Sequence, residues 1–486
     1  MDDSDNGKIL DIRSFSSDVL IFSSGQAILL AFVFIQSLII PKYLSTTEYG
    51  YWQLFLLLTT YVGILHLGFL DGIFVRWAGK NFEDIKGEIA IAFRFILLEQ
   101  GIVVGILLLI IGLIDLPSRG IAVAVLVNAV IVNLLTFFLF IAQATKRFKL
   151  VTIANIGRGF LFLIFILVLF FSGYFSYVLV ILATMVTGLI VLFLFIYHTR
   201  DFLYHHNSDR KSLLQFGKDN MGIGLFILLG NFIALTIMTI DQLTVGSFFS
   251  ITQFAIYAFA VNMCGLAVVF LQAVAQVFFP YLSESGSETR KKAYSLIRPA
   301  LLIFWAGILA FYFPFSVAIR FYLPQYASSL PLMAILLCTV AFSGQINILH
   351  VNFFRVYRKQ RVYFILTGIS LIGAVALNLL AVFLFRTLTA VAATAVISFT
   401  LWYLLNEVTL RHLVSVPIVE IVRWACIIFL YVGAFLGASA LSETWIIGFG
   451  IYIVLFAVIT TIFVRKESAQ LVDQIREIKK KKKKGV

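Results

Sequence analysis

The chain has 486 residues, of which 61% are hydrophobic and 13% charged, with a mean hydropathy of +1.01 and a formal net charge of +13. This leaves too little polar surface to cover a soluble globule of that length, so soluble classes are excluded and the chain reads as a polytopic membrane protein. The positive charge does not point to nucleic acid, because nearly all the basic residues lie in every second loop, where membrane topology places them.

In chain order, the acidic start Met1–Asp5 lacks a basic n-region, and no small-residue cleavage site follows the first apolar stretch, so no cleavable signal is expected. About fourteen apolar segments follow: Val19–Ile40, Tyr51–Leu70, Ile89–Ile114, Gly120–Ala144, Leu150–Phe171, Tyr177–Tyr197, Met221–Ile240, Phe254–Phe279, Pro299–Ile319, Pro331–Phe354, Val362–Phe385, Leu388–Val408, Ile421–Leu441 and Thr444–Val464. Each reaches the roughly 20 residues that span a ~30 Å hydrocarbon core. Their near-continuous apolarity predicts helices, since barrel strands alternate in ~10-residue units. The fold class is therefore all-α.

Of the 37 basic residues, Lys42, Arg119, Arg320 and Arg386 fall in the opposite set of loops, and Arg94 and Arg158 within segments. All the others lie on one side, which the positive-inside rule makes the cytoplasm, with both termini there. The run Lys479–Lys484 reads as a solvated tail that helps fix the C-terminus inside, with attraction to anionic lipid as the alternative. Cys264, Cys338 and Cys426 sit in apolar segments and are expected to be buried small side chains, without disulfide or metal roles.

An internal repeat organises the chain. Tyr43–Trp52 and Phe248–Tyr257 match position by position as aromatic, apolar, Ser, variable, Thr, Glu or Gln, aromatic, small, apolar or aromatic, aromatic. Six segments separate the copies, so the halves share one topology and are expected to be related by an axis along the membrane normal. The expected domains are a cytoplasmic N-terminal segment (1–18), an N-lobe of helices one to six (19–198), a linker (199–218), a C-lobe of helices seven to twelve (219–410), two appended helices (411–464) and a polybasic tail (465–486).

Ionisable residues inside the membrane are rare and mark candidate sites. Glu99 lies about 15 Å into the third segment and Arg158 about 12 Å into the fifth, from the same side. Two readings stand. Arg158 could serve as a ligand for an anionic group through its guanidinium fork, with Glu99 as a coupling site for a cation, or the two form a static pair. Arg94 is shallow enough to snorkel. Polar residues able to line a cleft are Gln26, Gln36, His66, Asn231, Asn262, Gln272 and Gln276, although Asn and Gln in membrane helices often only bond a neighbouring helix. Asp241, at the end of the seventh segment, reads as a gate residue or a structural position. Asp71 with Gly72 reads as an interfacial helix end. Gly101/Gly105 and Gly433/Gly437 fit close-packing GxxxG spacing.

Several of these stretches carry a resemblance. Pro41-Lys42-Tyr43-Leu44 with Glu48-Tyr49-Gly50, Leu67 to Arg76, Gln143 to Phe148, Ile240 to Leu243 with Ala255-Ile256-Tyr257, Phe279 to Leu282, and Leu323 to Tyr326 resemble, in order, the polysaccharide-biosynthesis (O-antigen type) flippases of the multidrug/oligosaccharidyl-lipid/polysaccharide exporter superfamily. The resemblance covers roughly residues 25–410. It implies a two-lobed transporter that moves an undecaprenyl-diphosphate-linked oligosaccharide across the bacterial inner membrane by alternating access. The same resemblance makes the anionic group that Arg158 would hold a diphosphate, and implies as partners membrane lipid and polysaccharide-assembly proteins; no cofactor is expected.

No Walker A sequence, HExxH, CxxC pair or DxD-bearing cytosolic domain is present, so no enzymatic activity, catalytic residue or metal site is expected. A membrane polysaccharide polymerase, the enzymatic rival, usually has a long polar outer loop, and the outer loops here are short. A lipid II flippase or a drug/cation antiporter of the same superfamily are the other rivals. Lipid II flippases typically carry arginines inside the first, second and eighth helices, where this chain has none.

Overall fold

A computed structural model of the chain describes residues 12–115, 118–203, 213–266, 286–441 and 444–470. Every regular element among them is helical, as the hydropathy pattern predicts. The elements are α1 (Ile12–Tyr43), α2 (Thr46–Thr59), α3 (Phe69–Trp77), α4 (Phe82–Leu113), α5 (Arg119–Ala144), α6 (Phe148–Ser172), α7 (Tyr177–Leu203), α8 (Leu213–Phe248) and α9 (Ile251–Leu266). They continue with α10 (Ser287–Leu309), α11 (Tyr312–Tyr322), α12 (Leu330–Gln345), α13 (Val351–Val356), α14 (Gln360–Leu384), α15 (Leu388–Val414), α16 (Ile418–Leu441) and α17 (Trp445–Phe463).

By length and composition, eleven of the described helical spans can cross a membrane, or twelve if the bent pair Thr46–His66 and Phe69–Trp77 is one span. The expected count of fourteen includes Val19–Ile40 and Phe254–Phe279, which fall partly outside what is described. The linker with His205, His206 and Asp209, the tail from 471, Gln272 and Gln276 also lie outside the described residues.

The chain divides into two compact units, one of Met1–Leu44 with Tyr51–Phe232 and one of Ser45–Gly50 with Ile233–Val486. In the first unit α1 lies along α6, and α5 packs against α4 and α7. Its core is aromatic: Phe69 sits 4.6 Å from Phe95, and Phe138 stacks on Phe195 at 5.5 Å. The beginning of α8 joins this core through Phe216, which is why the division falls within α8 rather than before it. Glycines allow the approach. A Cβ on Gly72 would overlap the Asn220 carbonyl, and one on Gly224 would overlap the Gly68 carbonyl. The GxxxG pairs picked from spacing do not work this way: at Gly101, Gly105, Gly433 and Gly437 a Cβ would meet none of the described residues. Spacing identifies a smooth helix face but not which helix covers it.

In the second unit α15 is central, packed by α12 and α14, with α16 and α17 paired beside it. Cys264 and Cys338 are buried, whereas Cys426 is exposed among the described residues, contrary to expectation.

The two repeated loops fold alike in detail. The Ser45 backbone N–H and hydroxyl both donate to Glu48 Oε2, at 3.2 and 2.8 Å, and the Glu48 N–H donates back to Ser45 Oγ at 3.3 Å. Ser250 and Gln253 repeat this reciprocal capping box at 3.1, 3.0 and 3.3 Å. Between the boxes the equivalent hydroxyls of Thr47 and Thr252 meet at 3.3 Å, 205 residues apart.

Candidate functional site

The second apolar segment is not one continuous helix. After α2 the Thr60 hydroxyl donates to the Leu57 carbonyl, a tight 3-10 turn occupies Val62–His66, and Leu67 and Gly68 take left-handed conformations with φ of 47° and 83°. The chain then restarts as α3, bent by 65°. A left-handed leucine is unfavourable, and its position beside a left-handed glycine marks a built break. Helical ends at membrane depth leave backbone carbonyls that protein groups must satisfy.

Those groups come from α4 and α5. Gln100 Nε2 donates to the Leu65 carbonyl at 3.1 Å and to Glu99 Oε2 at 2.7 Å. Asn133 Nδ2 donates to the Val62 carbonyl at 3.2 Å and to Gln100 Oε1 at 2.9 Å. On the other side of the break His66 Nε2 lies 3.8 Å from Asp71 Oδ2, in the first turn of α3, where the positive end of the helix dipole favours an acid. His66, Asp71, Glu99, Gln100 and Asn133 are all buried, and Glu99 Oε1, His66 Nδ1 and Asn133 Oδ1 have no hydrogen-bond partner among the described residues. The break thus gathers acceptors: two carboxylates, backbone carbonyls and an amide oxygen. Such a set suits a proton, a small cation or the hydroxyl donors of a polar headgroup.

Of the residues singled out from sequence, His66 and Glu99 meet at this break. Glu99 is tied to Gln100, and among the described residues no ion pair joins it to Arg158. Arg158 is half-buried in α6, next to Gly159, whose carbonyl accepts from Gln36 at 3.4 Å. Arg94 and Asn231 are exposed on α4 and α8. Asn262 donates to the Tyr49 hydroxyl at 3.2 Å, and Asp241 accepts from the Tyr257 hydroxyl at 2.7 Å, both within the second unit. Gln26 belongs to α1, with its side chain outside the description. Asp71 corrects its sequence reading, since it opens a helix and is buried instead of closing one at the interface.

Sequence reasoning passed over Gln100, Asn133 and a second charged group in the other unit, Arg298, His350 and Glu407. Gln100 sits next to a flagged glutamate, and that adjacency was the available signal. Among the described residues no three His, Cys, Asp or Glu side chains form a metal-ligand group.

No protein-family model and no curated protein sequence matches the chain. Among solved structures it is similar to a lipid II flippase MurJ in an inward closed conformation, with a TM-score of 0.60 and 12% identity over 92% of this chain and 99% of that one. It is also similar to a multidrug resistance MATE family transporter in its inward-facing conformation, with a TM-score of 0.59 and 14% identity over 81% and 94% of the two chains. The outward-facing conformation of such a transporter gives a TM-score of 0.58 at 15% identity over 82% and 95%.

Proposed function

With the fold that of transporters in the multidrug/oligosaccharidyl-lipid/polysaccharide superfamily as its premise, we propose that this chain is a flippase. It translocates undecaprenyl-diphosphate-linked oligosaccharide repeats across the bacterial inner membrane, by alternating access of two repeat-related halves, for assembly of a surface polysaccharide. The observation that carries this reading is the broken, polar second span inside a chain whose fold matches that of a lipid-carrier flippase over nearly its whole length. A saccharide diphosphate cannot shed its water in hydrocarbon without replacement hydrogen bonds. The buried polar break offers such bonds while the prenyl chain stays in lipid. Arg158 is assigned to the diphosphate and Glu99 to coupling, and Asp241 to gating.

The test is a clean deletion in a host without a second copy. Lipid-linked repeats should accumulate in the inner leaflet and the surface polymer should disappear; an unchanged leaflet distribution with normal polymer would refute the reading. A lipid II flippase is the second reading, favoured by the MurJ likeness. Depletion separates the two, because loss of lipid II export lyses growing cells whereas loss of polymer export leaves an intact wall.

A further inference from the structure

The break in the second span holds oxygens that its own hydrogen bonds do not use. Glu99 is 7% exposed, Asn133 1% and Gln100 0%. The Gln100 amide is spent in both directions: its nitrogen donates to Glu99 Oε2 and to the Leu65 carbonyl, and its oxygen accepts from Asn133. Glu99 and Asn133 therefore flank one fixed amide group. Each keeps one buried oxygen, Glu99 Oε1 and Asn133 Oδ1, that has no partner among the described residues. The Leu65 carbonyl accepts from Gln100 and has a second lone pair to offer. It belongs to the 3-10 turn that follows α2, at the carbonyl end of the broken helix, where the backbone is negative.

The chemistry of these atoms narrows what they can take. A proton supplies one donor and serves Glu99 with at most one neighbour, whereas a cation serves the carboxylate, the amide oxygen and the carbonyl end together. Carbonyl ends of broken membrane helices suit cations for this reason. All three atoms are hard oxygen donors, which favour alkali and alkaline-earth ions over transition metals. Charge then selects within that class. Glu99 brings one uncompensated negative charge, because the other acid at the break, Asp71, faces His66 at 3.8 Å from the first turn of α3, where the helix end is positive. A divalent ion would leave a buried positive charge, and magnesium gives up its water reluctantly. A monovalent ion balances Glu99.

We propose that Glu99 Oε1, Asn133 Oδ1 and the Leu65 carbonyl bind one dehydrated alkali cation, sodium or potassium, at the break. Gln100 is the positioning residue: bonded to both side-chain ligands and to the carbonyl, it holds the three in one place without giving the ion an atom of its own. The bound ion removes the cost of an uncompensated buried carboxylate and occupies the acceptors that the interrupted helix leaves open. It also names the ion for the coupling role given to Glu99, and that role rests on the flippase reading, whereas the binding does not.

The test is the melting temperature of the full chain in lipid nanodiscs, with choline chloride as the reference salt. Replacing choline by sodium or potassium at the same ionic strength, about 100 mM, should raise it by a few degrees, because an ion that binds only the folded state stabilises that state. Glu99→Gln should melt alike in all three salts. Asn133→Leu, close in volume but without the oxygen, should lose most of the shift, and either variant decides alone if the other does not fold. A native chain that melts alike in choline and both alkali salts, a shift that survives in Glu99→Gln or stays whole in Asn133→Leu, or a shift produced only by calcium or magnesium overturns the site. A melting temperature that follows pH but not alkali salt makes the occupant a proton and overturns it equally. Transfer of the lipid-linked repeat with and without a gradient of the stabilising ion then tests coupling, and equal rates overturn that role. A chain that shows the salt shift but transfers nothing removes the flippase reading and keeps the site.

Discussion

The two units bury charge in opposite ways. At the broken helix of the first, Glu99 lies against a neutral amide, with one oxygen unpartnered. In the second, Glu407 is held between a guanidinium and an imidazole, with both oxygens occupied. A buried charge that keeps its counter-ion behaves as part of the framework until one member changes its protonation. A buried carboxylate without one is expensive to retain, which is why such a group points to a ligand or proton that arrives later. The contrast separates an uncompensated carboxylate in the first unit from a compensated one in the second.

The largest expected effect comes from breaking the compensated group. Arg298→Leu or Glu407→Leu alone leaves a buried charge unpaired and should cost about 3–5 kcal/mol, seen as loss of folded protein in a melting assay in detergent. The double change Arg298→Met with Glu407→Leu removes both charges and should recover most of that loss. If each single change costs no more than a surface substitution, the group is solvated and the contrast between the units collapses.

Close packing gives the next effect, and it separates the glycines. Gly72→Ala and Gly224→Ala place a methyl into the backbone of the facing segment and should destabilise by about 1–3 kcal/mol. Gly101→Ala and Gly433→Ala meet none of the described residues and should be neutral or slightly stabilising, since alanine is the better helix former by about 1 kcal/mol. The measurement is the melting temperature of the four variants, side by side.

These glycines show what the sequence could and could not reveal. The helical class and nearly all the spans were legible, because hydrocarbon demands long apolar runs and nothing else satisfies their backbone. The repeat at residues 43–52 and 248–257 was legible too, since a capping box needs particular residue types at fixed spacing. The break at Leu67–Gly68 was not, because apolarity continues straight through it and a helix bends for backbone reasons that hydropathy does not record. Arg298 and Glu407 were hidden for a different reason. Both sit near segment ends, where a charge reads as interfacial, and only the tertiary structure brings α10 and α15 together to bury them. Glu99 stood out because, like Arg158, it is an ionisable residue deep in an apolar segment.

At the broken helix a smaller stability effect and a larger functional one are expected. Glu99→Gln keeps the shape and an acceptor for Gln100 while removing the charge. The protein should melt at or slightly above the native temperature, because an uncompensated buried charge is gone, yet transfer of lipid-linked repeats should be lost. A variant that melts normally and still transfers at the native rate would take Glu99 out of the site and leave the break as a structural bend. Asn133→Ala provides the control: it strips the Val62 carbonyl of its donor and should lower stability by about 1–3 kcal/mol.

The smallest effect tests whether the two halves are equivalent where they most resemble each other. Ser45 and Ser250 each accept from the backbone N–H three residues on and donate to the side chain there, at nearly the same distances. Removing either hydroxyl by Ser45→Ala or Ser250→Ala should cost about 1 kcal/mol, the usual worth of an N-cap. Glu48 carries a charge where Gln253 does not, and a carboxylate at a helix N-terminus adds about 0.3–1 kcal/mol. The Ser45 change should therefore be the larger of the two by a few tenths, and the gap should close when Glu48→Gln is combined with it. Equal losses at the start would mean that the Glu48 charge is screened. A much larger loss at Ser250 would mean that the capping boxes, though alike in geometry, carry different loads in the fold.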